Sequence, residues 1–355
     1  MSLCWTNSRG EPDKQGAVTG VTNVIDEFTV YGEGSLRVTD GLVASAGGRY
    51  THSRLGGAGV DIAEALSTSL RSITAARSEE VFLPSASLAA TVFPETTLYA
   101  RYQEGFRPGG LAIAGPFVSR FRNDRIATME FGGRHGHPGS GPFDIAASVS
   151  YTRWHDIQAD FIDQDGFPST ANIGNGRIWS ATLIAGVAVT PSLRLDGGFT
   201  YNDSRIDDPS PLLLSRAAAA LGVPVFAGGF DDLPGMVLEQ ITQVPNIARF
   251  SGRIGLDYRQ PIGRDLELTG QAWANYIGKS RLGVGPELGE AQGDYLDTGV
   301  TVRIGRENLG LSVGLSNLAD TEGNRFSLGT PFTTGREQVT PLRPRTLRVG
   351  IDASF

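Results

Sequence analysis

The chain has 355 residues, a formal net charge of −7 and 19% charged residues. That length accommodates two ordinary soluble domains or one large barrel, and an acidic balance with no basic stripe to neutralise phosphates excludes a nucleic-acid partner. Cys4 is the single cysteine, which excludes an intramolecular disulfide and a zinc–thiolate cluster, and no run of about 18 apolar residues offers a transmembrane helix.

From the N-terminus, Met1 to Gly10 has no signal-peptide shape. Residues 1–23 alternate little, and the stretch from Gly16 to Val24 reads as the end of a loop, so an irregular N-terminal segment is expected. From residue 24 onward, period-two segments bounded by turn residues predict thirteen strands. They span approximately 24–39, 42–54, 82–92, 97–107, 126–136, 143–164, 173–188, 193–205, 246–260, 265–280, 293–304, 309–319 and 342–355. In 143–151, for example, Phe143, Ile145, Ala147, Val149 and Tyr151 alternate with Asp144, Ala146, Ser148 and Ser150. The 47 glycines fit an all-β protein with many tight turns.

The connectors alternate between short and long. Short ones are Asp40-Gly41, 93–96, 137–142, 189–192, 261–264 and 305–308; long ones are 55–81, 108–125, 165–172, 206–245, 281–292 and 320–341. Asp40-Gly41 suits a right-twisted two-residue hairpin turn. Two long connectors carry helical spacing. In 62–77, Ile62, Leu66, Leu70 and Ile73 predict a short amphipathic helix. Within 206–245, Leu212 to Leu221 predicts another, ended by Gly222 and Pro224, with Asp231 and Asp232 further on. An ordered connector of that length is a candidate lid or ligand-contacting surface.

The last strand places Leu347, Val349, Ile351, Ala353 and Phe355 on one face, and Thr346, Arg348, Gly350, Asp352 and Ser354 on the other. A strand ending on an aromatic in this register is how many outer-membrane barrels close, with the oily face to lipid and the polar face to the lumen. Phe355 is thus the candidate assembly signal, presented on this strand to the barrel-assembly machinery. Segregation of short turns from long loops is the periplasmic–extracellular asymmetry of such barrels. The expected fold is an all-β antiparallel transmembrane β-barrel. An odd strand count leaves an edge unpaired in lipid, so the chain is expected to be a partial barrel or to hold a fourteenth strand in residues 1–23.

Several segments carry a resemblance. Leu98-Tyr-Ala-Arg-Tyr-Gln-Glu-Gly-Phe-Arg-Pro-Gly-Gly110 looks like a barrel-strand motif running into a loop, and Glu130-Phe-Gly-Gly-Arg134 is similar to the Glu-x-Gly-x-Lys strand that follows it. Tyr151 to Gln158 matches a common upward strand, and Ser316-Asn-Leu-Ala-Asp320 with the Phe355 ending resembles a last hairpin. In this order, over roughly 24–355, they resemble the C-terminal barrel of TonB-dependent outer-membrane receptors. The resemblance implies about twenty-two strands around an N-terminal plug, so this chain is expected to be the part without plug or TonB-contacting segment. It also implies energised uptake of a scarce ligand, most often a ferric siderophore. The TonB complex would be engaged through the plug region, with outer-membrane lipid and lipopolysaccharide around the wall.

Chemistry-bearing residues are few. Arg107, at the upper end of its strand, and Trp154 are candidate ligand contacts, together with Asp231 and Asp232. His135 and His137 sit in a predicted turn without a nearby carboxylate or thiolate, so no metal site is expected. No nucleophile–base arrangement and no phosphate-loop context is visible, so neither catalysis nor a cofactor is expected. Two other readings compete: a passive pore of about fourteen strands, and a soluble β-rich binding or adhesion module that buries its apolar face.

Overall fold

A computed structural model of the chain describes residues 2–6, 12–62, 71–114, 117–139, 141–162, 168–220, 242–283, 291–329 and 337–354. Fourteen strands form one antiparallel sheet in which chain neighbours are sheet neighbours throughout. They are β1 (Ser2–Thr6), β2 (Pro12–Thr39), β3 (Leu42–Ile62), β4 (Arg71–Phe93), β5 (Thr96–Arg107), β6 (Asp124–His135) and β7 (Phe143–His155). Then come β8 (Gly174–Thr190), β9 (Leu193–Pro209), β10 (Phe250–Pro261), β11 (Glu267–Ile277), β12 (Tyr295–Gly305), β13 (Leu309–Ser316) and β14 (Thr346–Ala353).

Alternation in sequence becomes two faces of opposite character, because side chains change sides at every residue and register aligns them across strands. Val302, Val313 and Val349 stand opposite one another on β12, β13 and β14. They are 44%, 45% and 67% exposed, and Ile351 is 77% exposed. Among the described residues no second sheet covers this oily face, so the packing that a soluble sandwich requires is not formed there. The opposite face is polar: Arg303 binds Asp352 and Arg259 binds Glu267 there.

The short turns gather at one end. Thr91 N–H donates to the Gly41 carbonyl at 2.7 Å, which ties the Asp40-Gly41 turn to the next hairpin. Glu95 holds a left-handed φ of 60° in the Pro94-Glu95 turn. At the other end the long connectors carry structure of their own, including the hairpins Gly110–Ala114/Phe117–Phe121 and Gln158–Ile162/Pro168–Asn172. The helix predicted from Leu212 is present as α1 (Pro211–Ala220). Pro211 fits the first helical position, and the Ser210 hydroxyl accepts from Leu213 N–H at 3.3 Å as an N-cap.

Four expectations change. Residues 12–23, read as a loop end, continue β2, and Ser2–Thr6 pairs alongside as a fourteenth strand. The helix predicted over 62–77 gives way to β4 from Arg71, which pairs with β3 up to Asp61; residues 63–70 lie outside the described set. The strand predicted to reach residue 164 stops at His155, where Asp156 turns to a φ of 51°, and a separate hairpin begins at Gln158. At the C-terminal end, Pro344 lacks the N–H that a ladder needs, so the last strand starts at Thr346 and not at residue 342.

Candidate functional site

The polar face and the loop-bearing end together form the candidate site, and the sequence motifs explain how it is built. Tyr99, Arg101 and Glu130 all lie on the polar face of β5 and β6. Glu130 accepts from Tyr99 Oη at 2.5 Å and from Arg101 Nη2 at 2.9 Å. A Cβ at Gly132 would stand 2.6 Å from Tyr99 Oη, so the glycine of the Glu-x-Gly motif makes room for the tyrosine ring. The two motifs are therefore halves of one knot.

Towards the short turns this face is a ladder of paired charges. Arg194 binds Asp144 and the Gly141 carbonyl, Arg253 lies 3.2 Å from Asp196, and Gln271 donates to Asp257 at 2.9 Å. An open groove of about 890 Å³ runs over these residues. Its wall offers fixed donors and acceptors of both signs, which suits a protein surface or a hydrated solute better than an apolar ligand.

Towards the loops, Arg107 and Trp154 converge on one carboxylate. Asp124, only 4% exposed in its side chain, accepts from Arg107 Nη2 at 2.6 Å and from Trp154 Nε1 at 3.1 Å. Gln158 locks the same junction: its Nε2 donates to the carbonyls of Pro108 and Arg122, each at 2.9 Å. Arg122 in turn pairs with Asp156 at 2.6 Å, and Asn172 donates to the Arg122 and Asp156 carbonyls. The bases of two loop hairpins are thereby fastened together. Arg107 remains half exposed beside this lock, its side chain at 54%.

Above the lock lies the one apolar cluster of buried residues formed among the described ones: Ile157, Ala159, Phe161, Ile173, Ile206, Leu213 and Val244, with Trp154 packed against it. The hairpin Gly110–Phe121 folds over the polar face of β2 to β4. Asn23 holds it there by donating to the Leu111 carbonyl and accepting from Leu111 N–H. Under it sits Glu79, whose side chain is 3% exposed and lies 3.2 Å from Arg77, with neither carboxylate oxygen hydrogen-bonded among the described residues.

Of the residues singled out from sequence, Arg107 and Trp154 are brought together, while Asp231, Asp232 and Phe355 lie outside the described residues. His137 has a carboxylate neighbour after all, Glu95 at 3.7 Å, and His135 Nδ1 meets Thr96 Oγ1 at 2.8 Å. Among the described residues no group of three or more His, Cys, Asp or Glu is placed to hold a metal ion. Asp124 and Gln158 were not foreseen. Asp124 was detectable, because pairing the strands on either side of the 108–125 connector sets it directly opposite Arg107.

The family model of the TonB-dependent receptor-like β-barrel matches residues 5–318. Among solved structures, the ferric yersiniabactin uptake receptor FyuA from Yersinia pestis superposes with a TM-score of 0.74 at 15% identity, covering 96% of this chain and 47% of that one. The ferric-catecholate import receptor Fiu from E. coli K12, in its closed form, gives 0.66 at 16%, covering 94% and 45%. The copper transporter OprC gives 0.66 at 16%, covering 99% and 50%. At these identities the likeness is one of fold, and the chain spans about half the length of each of these structures. No curated protein matches the sequence.

Proposed function

The chain belongs to the TonB-dependent receptor β-barrel family, and from that premise we propose that it forms wall and loop cap of an outer-membrane receptor for energised uptake of a scarce small ligand, a ferric siderophore before other metal complexes. The observation that carries this reading is the division of labour along the polar face. A ladder of paired charges lines the short-turn end, where a plug domain seats and the TonB complex is engaged through it. Interlocked, partly buried hairpins cap the other end, where a ligand arrives. Outer-membrane lipid and lipopolysaccharide surround the oily face. Its terminal strand is the element offered to the barrel-assembly machinery, and Arg107, Trp154, Asp231 and Asp232 are the residues proposed at the ligand side. The work is transport, with no catalytic step.

Residues 1–23 do supply the fourteenth strand that a passive pore requires. Among the described residues, however, no pairing joins β14 to β1 or β2, so the sheet does not close on itself as that pore must. The decisive test is quenching of tryptophan fluorescence in the folded chain by a panel of catecholate, hydroxamate and mixed-type ferric siderophores and by Cu(II). Saturable quenching by one class supports the receptor reading. Steady ion conductance in planar bilayers with no quenching by any of them overturns it in favour of the pore.

A further inference from the structure

The polar face holds a second hollow, above the charge ladder, to which the transport reading gives no occupant. Two rows of residues cross β8, β9, β10 and β11 side by side there. The upper row is Thr182, Thr200, Ser251 and Ile277, and the lower row is Ile184, Gly198, Arg253 and Asn275. Members of a row stand in register, and the rows are two residues apart on every strand, so each position points to the same side. Together they border a pocket of about 480 Å³.

The space has a definite origin. A Cβ built at Gly198 would meet nothing nearer than Arg253 Cγ at 3.5 Å and Ile184 Cγ1 at 3.8 Å, so packing does not demand a glycine there. One row below, the Asp196 carboxylate stands 2.7 Å from the same point on Gly255 and leaves no such room. A glycine inside a strand weakens it and marks a place where something else approaches the backbone. Around the gap, hydrogen-bonding capacity is left over. The Thr182 and Thr200 hydroxyls share one long contact of 3.4 Å, and among the described residues Ser251 Oγ and the Asn275 amide have no hydrogen-bond partner. Arg253 is already engaged with Asp196 at 3.2 Å. Ile184 and Ile277 stand at opposite corners, 52% and 37% exposed although the face is polar.

From this geometry we infer a saccharide site, a neutral pyranose ring seated over Gly198. Hydroxyl and amide side chains both donate and accept, as sugar hydroxyls do, and Ile184 and Ile277 receive the C–H faces of the ring. With Arg253 answered by Asp196, the pocket keeps no spare cation for an anionic chelate. Its volume falls in the range of small-molecule sites and suits a mono- or disaccharide. The inference rests on the lumen placement proposed above, is independent of the siderophore preference, and adds a ligand class to the polar face.

The test is saturation-transfer NMR on the full chain folded in LDAO, a detergent without a sugar headgroup. Maltose and cellobiose are the probes, and ferric tris-catecholate is the competitor. Saturable disaccharide binding that the catecholate complex does not displace is expected. T182V/T200V/N275L keeps side-chain size, removes the hydrogen-bonding groups and is expected to weaken binding about thirtyfold. Gly198→Leu, which fills the floor of the pocket, is expected to abolish it while siderophore quenching at the loop end stays as in the parent. No binding of either disaccharide, displacement by the catecholate complex, or undiminished binding to a Gly198→Leu chain of native β content overturns the site alone. A parent chain that binds maltose but is quenched by no siderophore keeps the site and removes the siderophore preference.

Discussion

At Asp124 three donors converge on one carboxylate that water barely reaches: Arg107 Nη2, Trp154 Nε1 and, at 3.4 Å, Gln158 N–H. Removing the acceptor leaves the indole and a buried amide unpaired, while the half-exposed guanidinium turns to solvent. Asp124→Ala is therefore expected to cost about 2 kcal/mol, read by denaturant unfolding followed through Trp154 fluorescence; an unchanged midpoint rules out the lock. Glu79 presents the reverse case. It keeps an ionic neighbour in Arg77 but makes no hydrogen bond among the described residues, so its burial is a cost that the hairpin above it imposes. Glu79→Gln is expected to raise stability by about 1–2 kcal/mol in the same assay, and a loss of stability would show that a donor already serves the carboxylate. Neither residue is conspicuous in the sequence. Arg107 and Trp154 are long polar-tipped side chains near the ends of period-two strands, whereas Asp124 and Glu79 fall in the connectors 108–125 and 55–81, where a carboxylate looks like any other solvated loop position. Their burial comes from loops folding back over them, which local pattern does not encode.

At the scale of the element, the strands were legible because alternation and turn residues agree, and α1 because the apolar run from Leu212 to Leu221 and its stop at Gly222 and Pro224 agree. The stretch 62–77 misled because Ile62, Leu66, Leu70 and Ile73 fit a helical stripe by spacing, while the hairpin ladder from β3 continues into β4 and claims Ile73. Tertiary pairing overrides a weak local preference. The connector after β9 is anchored at both ends, since Ile206, Leu213 and Val244 are each 1% exposed within one cluster. Leu213→Ala is expected to remove about 2–4 kcal/mol locally, seen as faster hydrogen exchange in α1 and in the Gln158–Asn172 hairpin while the wall strands keep their protection. A deletion that tests this connector in ligand binding must accordingly spare Ile206, Leu213 and Val244. Between β11 and β12, Asp294 receives Lys279 Nζ at 3.1 Å and Tyr276 Oη at 3.0 Å. The hydrogen bonds from Lys279 and then Tyr276 hold its carboxyl below the ordinary aspartate value. A lowered folded pKa means that this tie is complete above the ordinary aspartate pKa and is lost as pH falls through the lowered one. Acidification from pH 6 towards pH 2 is expected to loosen this junction in the parent, monitored by NMR of the Asp294 region, and Asp294→Asn is expected to abolish that step.

For the whole molecule, the decisive physical fact is which face of the sheet stays uncovered. The apolar row of Val302, Val313 and Val349 is open, while Arg303, Ser312 and Asp352 on the other face line the polar groove. The membrane fold was readable because this polarity is written in the strands from residue 24 onward. The loop end was not, because its conformation depends on contacts distant in sequence, such as Asn23 with Leu111. The two faces also make opposite demands on the same substitution. On β14, Val349→Arg places a guanidinium near mid-depth against hydrocarbon and is expected to cost about 2–4 kcal/mol. Gly350→Arg, one residue on, points into the polar interior beside Ser312 and is expected to fold nearly as well as the parent. The measurement is reversible folding into lipid vesicles, followed by heat-modifiable gel migration across a urea series. Equal penalties at the two positions would mean that both sides meet the same solvent, and a transmembrane wall cannot have that property.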